Sequence, residues 1–166
     1  AIVDTPATEE RIAFDFINVI PPMVAPKVVQ DSGLSWADKW VGQGWIEVDQ
    51  ATLRHLRYPN VFGLGDINGV PKGKTAASVK WHIPVVEDHL VAAIQGKEGT
   101  ETFNGYTSCP MITRIGRAML IEFDYKDNLV PSFPGVIAPL EELWISWLMK
   151  EIALKPTYNA MLRGKA

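Results

Sequence analysis

The 166-residue chain holds a single cysteine, Cys109, which excludes an internal disulfide framework and any cysteine-rich metal site. No uninterrupted apolar run reaches the roughly 18 residues that a membrane-spanning helix needs. No secretory signal pattern opens the sequence. Ala1 stands in mid-pattern, as a first residue does when the natural start lies further upstream. There is no Gly-x-Gly-x-x-Gly; Gly42-Gln43-Gly44 lacks a third glycine at the required spacing, so the pyrophosphate-binding turn of a dinucleotide fold is missing. Charge of one sign is also lacking. Sixteen Lys and Arg against nineteen Asp and Glu leave a net charge of −3, and the basic residues form no stripe, so nucleic acid is not an expected partner. The three histidines make no metal pattern: His82 and His89 lie two helical turns apart and His55 is in a loop segment. No repeat or low-complexity tract appears.

What is present is apolar residues, at 47%, enough to bury a core as one domain. Ile2-Val3 reads as the end of a strand. Phe14 to Ile20 is a compact apolar run stopped by Pro21-Pro22, which predicts a buried, parallel strand. Pro26 to Gln30 suits a helical turn, and Ser32 to Gly44 a loop. Trp45 to Val48 alternates like a strand, and Val61 to Leu64 reads as another. Thr75 to Gln95 has helical spacing with Gly96 as its stop, although Pro84 inside it predicts a kink or a division. Thr102 to Phe123 reads as strands, with Met119 to Phe123 the clearest. Tyr125 to Asn128 suits a hairpin turn. Leu140 to Leu154 reads as a helix and Pro156 to Leu162 as another short one. The fold class expected is α+β (mixed α/β).

The segment around Gly65-Asp66 carries the most chemical information. Gly65 permits close approach of a ligand or another backbone. Asp66 follows at the carboxyl end of the expected strand, where open α/β sheets hold ligands and where a carboxylate can accept from ribityl or ribose hydroxyls. Ten residues later Thr75-Ala76-Ala77-Ser78 opens the helix, whose free N–H groups can face an anion or an electron-rich ring. Gly69 to Thr75 has the look of a P-loop, but only three residues separate its glycines where four are needed, and Asn68 stands where the first glycine belongs. Nucleotide hydrolysis is therefore set aside.

Cys109 stands in Thr107-Ser108-Cys109-Pro110. A lone cysteine is most often a small buried hydrophobe, whereas this polar, turn-like setting suits a reactive thiol. His82 reads as a hydrogen-bonded helix histidine, with a local proton role left open. The segment Leu140 to Leu154 places Leu143, Trp144, Trp147, Leu148 and Ile152 close to one face. So wide an apolar face with two Trp suits either core packing or an interfacial helix lying on a membrane.

Gly65-Asp66, Pro71 to Ala77, Pro84 to Glu87 and Gly105 to Pro110, with Val19 to Pro26 upstream, together resemble the sulfide:quinone oxidoreductases. These belong to the two-dinucleotide-domain, disulfide-reductase-like flavoproteins. The resemblance runs from about Phe14 to about Gly164 and matches the C-terminal part of the family's length. It implies FAD as cofactor, contacted by Gly65, Asp66, Lys74, Thr75 and Ala76, with Asp66 on the ribityl chain. It implies Cys109 as one of two redox-active cysteines that handle sulfide sulfur, its partner lying upstream. It implies sulfide and quinone as substrates and peripheral contact with a bacterial or mitochondrial inner membrane through the C-terminal helix. Residues 1–98 would then be the C-terminal part of the flavin-binding region, and residues 99–166 a quinone- and membrane-proximal unit. By itself such a chain would be inactive, and its sheet edge, left without the other half, would favour a homodimer or strand exchange. Two other readings stay open: an NAD(P)H:quinone-type flavin dehydrogenase, and a non-catalytic membrane-surface or interaction module.

Overall fold

The computed structural model describes residues 11–37 and 44–165. Ile2-Val3 and part of the Ser32 to Gly44 loop lie outside the described residues. The described elements are a short helix α1 (Lys27–Gln30), a long helix α2 (Ala76–Ile94), strands β1 (Thr107–Arg114) and β2 (Arg117–Phe123), and a C-terminal helical run. That run comprises α3 (Trp144–Leu148), a π turn (Met149–Ala153) and α4 (Leu154–Met161). The fold is α+β.

Helix α2 forms where its sequence signals place it. Thr75 is its N-cap, and the Thr75 hydroxyl accepts from the Ser78 N–H at 3.2 Å. At the far end Gly96 takes φ +68° and the Lys97 N–H closes on the Ala92 carbonyl at 2.8 Å. Ser78, His82, Val85 and His89 form its buried face. Pro84 neither divides nor ends it. Its ring lies on the exposed side, where the Lys80 carbonyl that loses its partner can turn to water.

Val85 from that face joins a loop-built core of Ile46, Val48, Leu53, Val70 and Phe103. Val48 pairs with His55 and Arg54 with Phe62 through single bridges rather than ladders. The strands expected at Trp45 to Val48 and Val61 to Leu64 are thus reduced to isolated bridges. The segment Gly65–Ile67 is a 3₁₀ turn, so Asp66 stands in a turn and not at a strand end. The Phe14 to Ile20 segment is also corrected: it is not a strand, and Phe16 is 87% exposed. A buried parallel strand needs neighbours on its edges and faces, and the described residues offer it none.

β1 and β2 form an antiparallel ribbon, with Ser108 opposite Glu122, Cys109 opposite Ile121 and Pro110 opposite Leu120. Their hairpin turns at Gly116, φ +76°. The turn expected at Tyr125 to Asn128 is present beyond β2, where the Asp124 carboxylate accepts from the N–H groups of Lys126 and Asn128 at 2.8 and 3.0 Å. The C-terminal run starts later than expected, at Trp144, because Leu143 is used to bridge to Ala118. It then continues past Pro156 as one run. The π turn lies just ahead of this proline, which has no N–H for a carbonyl one turn back.

Candidate functional site

Three elements converge on one cavity. The first turn of α2 supplies Thr75, Ala76 and Ala77; the ribbon supplies Ser108, Pro110, Leu120 and Glu122; the C-terminal run supplies Ser146, Met149, Ala153 and Leu154. Tyr106 and Phe133 complete much of the wall, and the volume is about 480 Å³. A site of this size suits a small organic molecule. Its walls are mostly apolar, with a polar patch at Tyr106, Ser108 and Glu122 and with Lys150 and Thr157 on the C-terminal run.

Strand alternation decides which ribbon residues reach it. Successive side chains point to opposite faces, so Ser108 and Pro110 line the cavity while Cys109 between them points away and is exposed. The ribbon therefore separates the thiol from the cavity. Among the described residues Cys109 has no disulfide partner.

The Gly65 turn packs against α2 through His82 and Val79. Gly65 is buried at φ +70°, and its N–H donates to Nδ1 of His82 at 3.1 Å. His82 is fully buried, edge-on to Phe103, with Nε2 unpartnered among the described residues. Burial first, then the Lys74 charge, lowers its pKa to about 4, so the ring is neutral at physiological pH. Lys74 donates to the carbonyls of Asp66, at 2.7 Å, and Asn68, and its ammonium lies 3.7 Å from the centre of the Trp45 ring. Burial pulls its pKa down to about 8 against the opposing pull of the Asp66 carboxylate. Asp66 itself is exposed.

Gly65, Asp66, Lys74, Thr75 and Ala76 are thus brought together around one turn and one helix start. An exposed carboxylate, a close-approach glycine and an uncapped pair of N–H groups at Ala76 and Ala77 are donors and acceptors of the kinds a flavin's ribityl chain and pyrimidine edge require. The residues present fit that group. A Cβ added at Gly65 would meet only Val79, at 3.5 Å, so the glycine is set by its φ and leaves room on its open side.

A second cluster escaped the sequence reading. Glu122 is 2% exposed and accepts from the Ser132 N–H at 2.8 Å and from the hydroxyls of Ser132 and Tyr106. Burial and the neighbouring carboxylate raise the Tyr106 pKa. The one signal available was a Glu at a cavity-facing position of the apolar run Met119 to Phe123. Among the described residues no group of three or more His, Cys, Asp or Glu is placed to hold a metal ion, and no helix is long and apolar enough to cross a membrane.

The chain is 37% identical over 164 residues to a mitochondrial sulfide:quinone oxidoreductase of Mus musculus, covering 98% of this chain and 35% of that one. It is 32% identical over 99% of its length to the Dictyostelium discoideum protein of the same name, again covering 35% of it. It matches the C-terminal portion of the sulfide:quinone oxidoreductases. A Schizosaccharomyces pombe relative is 39% identical over 120 residues, 25% of its length. The chain spans about a third of the length of the mouse and Dictyostelium relatives. No protein-family profile matches it. Among solved structures, a chain of the Tetrahymena thermophila mitochondrial ATP synthase F1Fo tetramer superposes with a TM-score of 0.71, covering 86% of this chain and 33% of that one. At 20% identity that likeness concerns the fold alone.

Proposed function

We propose that this chain forms the C-terminal third of a flavin-dependent sulfide:quinone oxidoreductase, with the cavity under the α2 N-terminus as its quinone site. The observation that carries this reading is the division made by the ribbon. Thr75 to Ala77, on the flavin-contact side, also wall an apolar cavity, and Cys109 faces the opposite way. An enzyme that takes electrons from a sulfur compound and gives them to a quinone needs two separate access routes to one cofactor. FAD, when bound, supplies the two-electron couple between them. Residues 1–98 are assigned to the flavin-binding region and residues 99–166 to the quinone- and membrane-proximal unit.

The chain's own residues have distinct tasks. The Asp66 carboxylate would accept from the ribityl hydroxyls of a bound FAD. The N–H groups at the start of α2 and the Lys74 charge would favour negative charge at the pyrimidine edge of a bound flavin, which would raise its affinity for electrons. The Cys109 thiolate is the nucleophile toward sulfane sulfur, and its exposure gives sulfide access. The C-terminal run leaves Trp144, Ile152, Tyr158 and Leu162 exposed, an apolar surface suited to peripheral contact with a membrane holding the quinone.

The test is sulfide-dependent reduction of a soluble quinone by the full-length protein, wild type and Cys109→Ser, with the flavin spectrum recorded. Bound flavin and activity abolished in Cys109→Ser support the reading. Bound flavin that ignores sulfide but accepts electrons from NAD(P)H replaces it with a dehydrogenase, and absence of flavin removes it.

A further inference from the structure

The carboxylate of Glu122 stands at the wall of the cavity, almost fully buried, and no cation pairs with it among the described ion pairs. An isolated carboxylate removed from water is costly, and here three donors offset that cost. Two of the three are hydroxyls, which can pass a proton on as well as donate one. Tyr106 Oη and Ser132 Oγ are also 3.0 Å apart, so the three groups form a closed triangle. One corner of it, Ser132, is exposed; Tyr106 and Glu122 line the cavity. The triangle thus connects solvent to the cavity interior. A separate observation points to a ligand there: Ser146 lines the same cavity, and its buried Oγ has no hydrogen-bond partner among the described residues. A hydroxyl left unpaired in this way is poised for a polar atom of an occupant.

We propose that Ser132, Tyr106 and Glu122 form a proton relay into the cavity, with Glu122 as the general acid toward a ring oxygen of the bound quinone. This rests on the quinone reading above. Converting a quinone to a quinol takes up two electrons and two protons. A reduced flavin held beside the cavity would supply the electrons and one proton. The other proton comes through the relay. A proton from water enters through Ser132, directly or by way of Tyr106, and adds to the Glu122 carboxylate. The carboxyl O–H bond so formed breaks as the O–H bond at the ring oxygen forms, which restores the carboxylate. Ser146 Oγ donates to a ring oxygen and holds the ring in place.

The test uses the full-length holoprotein, wild type, Glu122→Gln, Tyr106→Phe and Ser132→Ala, in rapid-mixing experiments. Flavin reduction by sulfide is followed first. Reoxidation is then followed with a short-chain ubiquinone and with ferricyanide, an electron acceptor that takes up no proton. The expected result is that Glu122→Gln slows reoxidation by quinone about 100-fold, within the range of general acid contributions. Sulfide reduction and ferricyanide reoxidation stay at wild-type rates. Tyr106→Phe and Ser132→Ala slow the quinone step less, and the wild-type solvent deuterium isotope effect changes in all three. An independent readout is the infrared difference spectrum on adding quinone, where a carboxyl C=O stretch seen in wild type is lost in Glu122→Gln. Reoxidation of Glu122→Gln by quinone at the wild-type rate overturns the relay while leaving the quinone site intact. If Glu122→Gln loses the ferricyanide rate as well, its packing is damaged, and wild-type quinone kinetics in Ser132→Ala overturn the relay instead. A wild-type protein that quinone does not reoxidise overturns the functional reading itself.

Discussion

The N–H of Gly65 donates to Nδ1 of His82 at 3.1 Å, joining the expected flavin-contact turn to the buried face of α2. This bond needs a neutral imidazole, because a protonated ring has no acceptor nitrogen. Burial and the Lys74 charge hold the His82 pKa near 4, against 6.5 for a free side chain. In the unfolded chain the ring takes a proton below about 6.5; in the folded chain it does so only near 4. Its contribution to stability is therefore full above 6.5 and is lost as the pH falls toward 4. Between these limits His82→Gln, whose amide oxygen can accept from the same N–H, should lose about 2–3 kcal/mol less stability than wild type. Urea midpoints across that pH range measure the difference. Parallel curves for the two proteins would refute the assignment.

Lys74 is predicted to titrate near 8. Asp66→Asn removes the charge that opposes burial, so the lysine pKa should fall further. Side-chain NMR of labelled lysines reads this directly. An unchanged or higher value would mean that the two groups are not electrostatically coupled.

Gly105 sits at φ +86°, with the Tyr125 ring packed where a Cβ would lie. Gly105→Ala should cost about 2–4 kcal/mol, from backbone strain and overpacking together. Because Tyr106 is the next residue, the same change should also impair the quinone step. Chemical denaturation and stopped-flow reoxidation test the two effects separately.

Ala153 lines the cavity on its open side. Ala153→Phe is expected to raise the KM for a short-chain quinone about tenfold or more while leaving sulfide-dependent flavin reduction unaltered. This change fills the proposed site without touching its polar groups. Steady-state kinetics with quinone varied are the measurement, and an unaltered KM would place the quinone elsewhere.

Local signals by themselves determined much of this protein. Thr75 as a cap, the spacing of apolar residues to Ile94 and Gly96 as a stop define α2, since capping and helical periodicity act within a few residues. The grouping of Gly65, Asp66, Lys74, Thr75 and Ala76 was likewise legible, because one turn and one helix start bring these neighbours together. The apolar run at Phe14 to Ile20 was misleading: alternation and hydrophobicity describe a strand's suitability, and a strand exists only where another lends it hydrogen bonds. Pro84 and Pro156 leave their helices unbroken for a related reason, as exposure of one and a π turn before the other absorb the missing N–H groups. Only the tertiary structure decided the rest. The register that sets Ser108 against Glu122 turns Cys109 outward and the carboxylate inward. Ser132 and Tyr106 reach Glu122 from 10 and 16 residues away in sequence. Such contacts are fixed by how the ribbon folds back against its neighbours, and no local pattern encodes them.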